Sequence, residues 1–410
     1  MENVLNIMKR VFLVHNINPG IGGMESHQKA FVEYFFYRKN MFNYIIEKNG
    51  VGAKVYEYNK DLRMLKPVIT LDYQNLVYEW LKEQNSNVTF VFFLNDPWWI
   101  EDVPLMRNIF PYSLIIMRSG GNDVEKAPCN QGIYPYKERR NKYKEFINMM
   151  DHIIANSDFS INRLKRLGIK DNKIIKIRGG VNTQMADNIK SQNELNGKLR
   201  KELLKYKSFI VLYACRFVEF KGIIESLYAL TQSRIADDVM IIFVGDGPLR
   251  HKIEEFCRSH FSASQYLFVG VADNDTVLKY MAVSDVVINA SLELTRKSDD
   301  GEYIHTETMG RSMMEAISVG THIIATDVGG TRELFQENEG IGFLVKTTSN
   351  SLTDAFNSIS QILNIPIKIK EDYSWNHVFN EYEKLINEHE IDKFRQSQKS
   401  DNRNQCEASV

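Results

Sequence analysis

Two basic and two acidic residues in the second half of the chain have types and spacings that suit a phosphorylated ligand with hydroxyl groups. Arg216 and Lys221 follow the apolar run 209–214, and Lys221 precedes a glycine. A guanidinium makes forked contacts to phosphate oxygens and an ammonium acts as a point charge, so this pair suits a diphosphate. The carboxylates of Glu307 and Glu315 suit hydroxyl groups, Glu307 those of a sugar and Glu315 those of a ribose.

The spacing of the two acids restricts where a helix can begin. On one continuous helix they would lie about 80° apart around the axis and about 12 Å apart along it, too far to share a small site. If the helix starts near Ser312, Glu307 lies in the preceding loop, and Gly310 with the free amide groups beside it faces a phosphate. Ser312 and Glu315 also match a capping box, so a structural role for Glu315 stays open.

Glycine-containing turns follow several apolar runs. The sequence VGDGP at 244–248 predicts a tight turn, and Val271, after the run 266–269, is a candidate to lie near a planar base. A plain strand-to-loop turn explains Val271 equally well. Gly22 and Gly23 follow the first apolar run, but their spacing does not fit a dinucleotide fingerprint, although Glu47 stands where the ribose acid would be.

Short apolar runs that alternate with longer amphipathic ones must position these residues. The pattern occurs twice and predicts two parallel sheets, each with helices on both faces. We expect ligand sites where two such domains meet at a cleft, at the carboxyl ends of both sheets. Predicted strands are 10–15, 44–47, 88–94, 113–117, 152–155, 209–214, 239–244, 266–269, 286–289 and 322–326. Predicted helices are 25–37, 222–230, 249–257, 275–281, 312–317 and 375–389.

The polar stretch 185–207 lacks an apolar strand and predicts a linker region between a domain over 8–184 and a domain over 208–370. A surface excursion within one domain is the alternative. A last helical segment over 371–392 precedes the tail 393–410, whose polar composition predicts disorder.

Composition excludes several classes of protein. Lys plus Arg number 51 and Asp plus Glu 52 in 410 residues, so no overall field attracts nucleic acid. The four scattered cysteines (Cys129, Cys215, Cys257, Cys406) predict a reducing compartment without disulfides or a zinc site. The chain has no apolar run of the roughly 18 residues that a membrane helix requires. We therefore expect a cytoplasmic protein.

In their order along the chain, these motifs resemble the family-4 glycosyltransferases, which have the GT-B fold and retain the anomeric configuration of the sugar. From 209 to 345 the sequences R-(x)4-K-G, VGDGP, FVG, E-(x)7-E-A, G-T and D-V-G-G-x-x-E follow the family order. The first half is similar in its G-G-x-E turn at 22–25, in the segments 151–157 and 178–182, and in the helix at 375–382.

The resemblance implies a hexosyltransferase-type enzyme with an acceptor-binding first domain, a nucleotide-sugar-binding second domain and a C-terminal helix that crosses back to the first. It implies a UDP- or GDP-linked donor sugar and a saccharide or lipid-linked saccharide acceptor. It also implies a role in surface polysaccharide synthesis and peripheral contact with the inner face of the cell membrane. No metal or other cofactor is implied, because cations and helix amides stabilise the leaving diphosphate. The implied donor-binding residues are Gly22, Gly23, Arg216, Lys221, Val271, Gly310, Arg311, Ser312 and Glu315, and Glu307 would face the donor sugar.

Several positions depart from the family pattern. Cys215 and Met309 replace a usual glycine and a usual aromatic residue. The segment 118–123 lacks the usual histidine, which makes Asp123 the candidate to contact the acceptor hydroxyl. The stretch 292–306 is long and charged, as a functional loop or as a solvated insertion. A sugar-nucleotide epimerase on the same frame and a non-catalytic saccharide-binding relative remain the alternatives.

Two further motifs have structural interpretations. Asp273 and Asp275 match a D-x-D metal motif, but Asp275 is placed to cap a helix. Trp98 and Trp99 follow a predicted strand, and we expect them to be buried rather than to stack on sugars.

Overall fold

The computed structural model describes residues 8–18, 23–59, 61–62, 64–84, 88–95, 97–121, 136–205, 207–298 and 301–407. The chain divides into two compact units. The first comprises Met1–Arg178, Lys297–Tyr303 and Asn376–Val410, and the second comprises Gly179–Arg296 and Ile304–Trp375.

An eight-stranded sheet with the order β4-β3-β2-β1-β5-β6-β7-β8 forms the centre of the first unit. β3 pairs antiparallel with β2 and β4, and the other neighbours are parallel. Every residue of β5, β6 and β7 is buried, as expected for strands covered on both faces. The strands are β1 (Met8–Val14), β2 (Tyr44–Asn49), β3 (Gly52–Asn59), β4 (Met64–Leu71), β5 (Thr89–Leu94), β6 (Leu114–Arg118), β7 (His152–Ala155) and β8 (Ile174–Lys176).

Helices separate most of the parallel strands of this unit. They are α1 (Gly23–Val32), which continues as a π-helical segment over Glu33–Arg38, α2 (Leu76–Gln84), α3 (Val103–Ile109), α4 (Tyr136–Met149) and α5 (Asp158–Arg166). α1 packs on β1 through stacked rings, since the ring centroids of Phe12 and Phe31 are 4.1 Å apart.

The second unit contains a fully parallel six-stranded sheet with the order β11-β10-β9-β12-β15-β16. The six strands of this sheet are β9 (Phe209–Ala214), β10 (Val239–Val244), β11 (Tyr266–Gly270), β12 (Val286–Asn289), β15 (His322–Thr326) and β16 (Gly342–Val345). Two further strands, β13 (Leu294–Ser298) and β14 (Gly301–His305), form a separate two-stranded sheet. Strand order reverses between β9 and β12, and the crevice outside the carboxyl ends of such strands is the usual ligand site of this architecture. The fold prediction of two doubly wound α/β domains is confirmed.

The helices of the second unit begin at Thr183, two residues before the predicted linker. They are α6 (Thr183–Ser191), α7 (Asn193–Leu204), α8 (Ile223–Thr231), α9 (Arg250–His260), α10 (Asn274–Val283), α11 (Arg311–Ser318), α12 (Thr331–Glu337), α13 (Ser349–Asn357) and α14 (Ile359–Ile362). Ala186 and Ile189 of α6 are buried in a core of the second unit. The stretch 185–207 is therefore part of that unit rather than a linker, because these two apolar side chains bury the helix.

One long helix, α15 (Trp375–Glu407), ends the described chain. It continues through Lys393–Glu407, where the polar composition predicts disorder. From Asn376 onward it belongs to the first unit, and Phe379 and Tyr382 are buried there against rings of α1. Within the described residues, no helix combines the length and the apolar character needed to span a bilayer.

A buried ion pair connects α15 with β1. Arg10 donates from Nε and Nη2 to Glu390 Oε2 at 3.2 and 2.7 Å, and the two side chains are 8% and 4% exposed. Burial raises the pKa of Glu390 above its usual range, although the Arg10 guanidinium opposes the rise.

We expect Glu390→Ala to lower the free energy of unfolding by about 3–5 kcal/mol, because it leaves the Arg10 charge buried without its partner. Glu388→Ala, on the same helix, is the control: Glu388 is 59% exposed and its contact to Lys384 spans 3.9 Å. That change should stay within about 0.5 kcal/mol of the wild type. Urea denaturation measures both variants, and equal losses would contradict a special role for the buried pair.

Candidate functional site

The loop that carries Arg216 is fixed by hydrogen bonds between the carboxyl ends of neighbouring strands. Cys215 N–H donates to Val244 O at 3.1 Å, and Phe217 N–H donates to Asp246 O at 2.9 Å. Arg216, between them, is exposed and makes no ion pair with any residue that the structure describes. Its guanidinium is therefore available to an anionic ligand at this end of the sheet.

The VGDGP turn owes its glycines to the same close packing. A Cβ on Gly245 would lie 2.0 Å from Cys215 O, and one on Gly247 would lie 2.6 Å from Phe217 O. Both glycines also have positive φ angles. The turn thus supports the Arg216 loop through its backbone.

Lys221 and Glu307 form a largely buried ion pair. Lys221 Nζ lies 2.5 Å from Glu307 Oε2, and the side chains are 16% and 13% exposed. Burial opposes the charge on both groups, but their mutual attraction outweighs it. The pKa of Lys221 is consequently raised, and the pKa of Glu307, which also accepts backbone hydrogen bonds, is lowered. Both groups are charged at neutral pH.

The other carboxylate oxygen of Glu307 holds the turn that starts α11. Gly310 N–H donates to Glu307 Oε1 at 3.1 Å, and Gly310 has a left-handed φ of 77° as the N-cap of α11. No side chain caps this helix, so amide groups of its first turn, at Arg311 and Ser312, are placed to bind an anion. The expectation that the helix begins near Ser312, with Glu307 in the loop before it, is confirmed.

Glu315 lies in the buried part of α11 and is 6% exposed. Its Oε1 accepts a hydrogen bond from Asn274 Nδ2 at 3.1 Å and lies 3.4 Å from Arg311 Nε. Burial raises the pKa of Glu315, although Arg311 and Asn274 oppose the rise. The capping-box alternative is wrong, because the N-cap is Gly310 and not Ser312.

The D-V-G-G segment packs directly beneath Glu307. Gly330 N–H donates to Glu307 O at 3.0 Å, and a Cβ on Gly329 would lie 1.8 Å from that oxygen. Gly329 has a φ of 55°, so this position combines positive φ with a close backbone approach. The segment positions the backbone of the acid.

Two further candidates of the second unit differ in exposure. Val271, directly after β11, is 60% exposed and thus accessible to a ligand. Cys215 adjoins the ion pair, and burial raises the pKa of its thiol to about 11. The thiol is therefore protonated at neutral pH.

The stretch 292–306 is largely a β-hairpin rather than an irregular loop. Its base joins the turn before Lys221, since Leu292 N–H donates to Phe220 O at 2.7 Å and Arg296 Nη2 lies 3.0 Å from Glu219 Oε2. In this way the base of the hairpin supports the segment that carries Lys221.

Several candidates of the first unit have structural roles or fall outside the described residues. Gly23 begins α1, whereas Gly22 and Asp123 are outside the described ranges. Glu47, at the position of the ribose acid in a dinucleotide site, accepts hydrogen bonds from Ile17 N–H and Tyr56 OH at 2.8 and 2.9 Å. Both of its carboxylate oxygens are thus bonded within the first unit.

The structure separates the two tryptophans and corrects the predicted helix cap. Trp99 is fully buried, as expected, but Trp98 is 37% exposed and stacks on His15. Asp273, not Asp275, caps α10 by accepting from Thr276 N–H at 2.9 Å. The prediction of Asp275 was wrong because the helix begins at Asn274, two residues earlier than a cap at Asp275 would require.

Asn274 and Asn289 were not predicted as site residues. The structure places Asn274 beside Glu315 and Asn289 beside the Gly310 turn. An asparagine in a short polar segment or at the end of a strand carries no motif of its own. The D-x-D pattern that contains Asn274 indicates Asp273 and Asp275 as candidates instead.

Residues 196–374 match the family model described as glycosyl transferases group 1. This segment contains Arg216, Lys221, Glu307 and Glu315. The matched segment lies almost wholly within the second unit. The fold of the chain is that of GT-B proteins, and solved structures with this fold align over nearly the full chain.

Named relatives are similar at low identity. TuaC of Bacillus subtilis, named as a teichuronic acid biosynthesis glycosyltransferase, is 24% identical over 242 residues, which cover 58% of this chain and 52% of TuaC. The N-acetyl-alpha-D-glucosaminyl L-malate synthase of Bacillus anthracis is 22% identical over 207 residues, 46% of this chain and 50% of the synthase. The chain thus spans about half the length of these curated relatives.

A crystal structure of Anabaena HepE in complex with UDP and glucose superposes with a TM-score of 0.65 at 16% identity. The superposition covers 93% of this chain and 100% of that one. At this identity the likeness shows the shared fold.

Lys221→Met should lower the free energy of unfolding by about 3–5 kcal/mol at pH 7, because Glu307 stays buried without a cation. The pKa of Glu307 is lower in the folded protein than in the unfolded chain, so its ionised carboxylate stabilises the fold. This stabilisation is complete above the pKa of an unfolded glutamate, about 4.3, and is lost as pH falls below that value. In Lys221→Met, protonation of Glu307 removes its unpaired buried charge and thereby stabilises the folded protein. The difference between the two proteins should therefore shrink as pH falls through 4.

Denaturant titrations from pH 3 to 8 measure this difference. The double variant Lys221→Met/Glu307→Gln is the control, and its loss at pH 7 should be smaller than that of the single variant. A difference that stays constant over the whole pH range would contradict the assignment of the ion pair.

Proposed function

We propose that this protein is a retaining glycosyltransferase of the family-4 type. It moves a sugar from a nucleoside diphosphate to a hydroxyl group of a saccharide or glycolipid acceptor, in the synthesis of a surface polysaccharide. The donor binds in the second unit, and the enzyme acts in the cytoplasm at the inner face of the cell membrane.

The contact set around Glu307 is the observation that carries this proposal. Lys221 and the Gly310 amide both bond to this acid, so a buried ammonium and an uncapped helix start lie next to each other. Arg216 is exposed, and its charge acts electrostatically on Lys221. Two cations with free amides suit a diphosphate that must leave with its negative charge stabilised.

Further residues suit the rest of a nucleotide sugar. Glu315 keeps a carboxylate oxygen beyond the one bonded to Asn274, and it can accept from ribose hydroxyls. Val271 is exposed at the end of β11, where its backbone can contact a base. The HepE structure contains UDP and glucose, which favours testing UDP-linked sugars first, with GDP-linked sugars as the second choice.

The chemistry proposed for this site needs no metal or other cofactor. The bond between the anomeric carbon and the diphosphate breaks as Arg216, Lys221 and the helix amides take up the developing charge. The acceptor oxygen forms its bond on the same face, and its proton passes to the departing phosphate. Glu307 holds Lys221 and the Gly310 turn in position and faces the sugar.

A transfer assay with UDP-glucose, UDP-N-acetylglucosamine and GDP-mannose tests the function. Release of nucleoside diphosphate should depend on an added saccharide acceptor, and NMR of the product should show the anomeric configuration of the donor. Conversion of the nucleotide sugar without acceptor would indicate an epimerase instead. Binding without turnover across an acceptor panel would indicate a non-catalytic relative.

Arg216→Ala should weaken the binding of nucleoside diphosphate by roughly tenfold or more, because a charge-assisted hydrogen bond contributes about 1.5–3 kcal/mol. Arg258→Ala is the matched control, since Arg258 is also an exposed arginine of the second unit but lies in the last turn of α9. Calorimetry with UDP and GDP measures both variants. Equal affinities in Arg216→Ala and Arg258→Ala would exclude Arg216 from the donor site.

A further inference from the structure

Asn289 occupies the position in the second sheet where ligands are expected. It is the last residue of β12, which lies beside β9 at the point where strand order reverses. The carboxyl ends of these two strands border the usual ligand crevice. Asn289 is only 4% exposed, so its side chain is buried at the carboxyl end of this strand.

The orientation of the Asn289 amide follows from its neighbours. Ser291 Oγ donates to Asn289 Oδ1 at 2.6 Å, a distance typical of a hydroxyl donor and short for an N–H donor. Nδ2 is therefore the opposite end of the amide group. This nitrogen is buried and has no hydrogen-bond partner among the residues that the structure describes.

A buried donor without a partner is unfavourable and rare in folded proteins, so its retention calls for an explanation. Nδ2 lies 3.4 Å from the point where a Cβ on Gly310 would stand, beside the uncapped start of α11. The Met313 methyl group lies 2.0 Å from the same point. A methionine chain is flexible enough to repack and open this space to a ligand oxygen.

We propose that Asn289 is a further donor-binding residue whose Nδ2–H bonds an oxygen of the sugar-linked phosphate, while the Met313 side chain moves aside. The inference rests on the proposed function. The sugar-linked phosphate is the partner because the Gly310 turn adjoins Lys221 and Glu307, whereas the ribose acid Glu315 lies further along α11. The bond satisfies the amide only in the ligand-bound state, so it favours binding of the diphosphate.

Asn289→Leu tests the inference, with Asn338→Leu as the matched control. Asn338 is also 4% exposed and lies in the same unit, but its amide bonds to Leu334 O, Tyr373 OH and Lys370 N–H. Calorimetry with UDP and UMP, and with GDP and GMP, measures affinity, and urea denaturation measures stability.

In Asn289→Leu, diphosphate binding should weaken roughly tenfold, as expected for one lost hydrogen bond to a charged group. Monophosphate binding should stay near wild type. Stability should fall less than in Asn338→Leu, because only the Ser291 hydroxyl loses its hydrogen-bond acceptor. Asn338→Leu should lose stability and keep both affinities. The inference is overturned if Asn289→Leu binds the diphosphate like the wild type, or loses stability as Asn338→Leu does. If the wild type binds no nucleoside diphosphate, the proposed function fails, and the inference fails with it.

Discussion

The ion pair between Lys221 and Glu307 is the interaction on which the candidate site depends. Glu307 contacts three segments of the second unit at once: its two carboxylate oxygens accept from Lys221 and Gly310, and its backbone oxygen accepts from Gly330. The turn after β9, the start of α11 and the segment after β15 are thereby held together. Because the pair is largely buried, solvent and salt screen it little, and it is formed before any ligand binds.

This arrangement assigns different tasks to the charged residues. Lys221 is already neutralised by an acid, so the exposed Arg216 is the cation with unused charge at the loop after β9. The Asn289 amide and the first-turn amides of α11 add neutral donors nearby. A diphosphate binding there would contact donors of decreasing exposure, from the Arg216 guanidinium at the surface to the buried Asn289 amide. Such preorganised donors stabilise charge without reorganisation during the reaction.

Many strands of the fold could be predicted from the sequence, because a buried strand appears there as an unbroken apolar run. β9 and β10 were predicted to the residue, because every position of β10 and most of β9 are buried. β4 was missed because all eight of its residues are at least partly exposed and it contains Pro67, so it lacks the apolar run of a buried strand. The residue types of the site were recognised, but the pairing of Lys221 with Glu307 joins positions 86 residues apart and needs the fold. Asn289 Nδ2, which has no hydrogen-bond partner among the described residues, has no sequence signal at all.

A crystal structure of the protein with the nucleoside diphosphate that binds best would show whether the phosphates lie at the Gly310 turn. We predict phosphate oxygens within hydrogen-bond distance of the Arg216 guanidinium, the Lys221 ammonium and the amides of the Gly310 turn, with the Lys221–Glu307 pair intact. Phosphates bound elsewhere in the second unit, away from this turn, would contradict it.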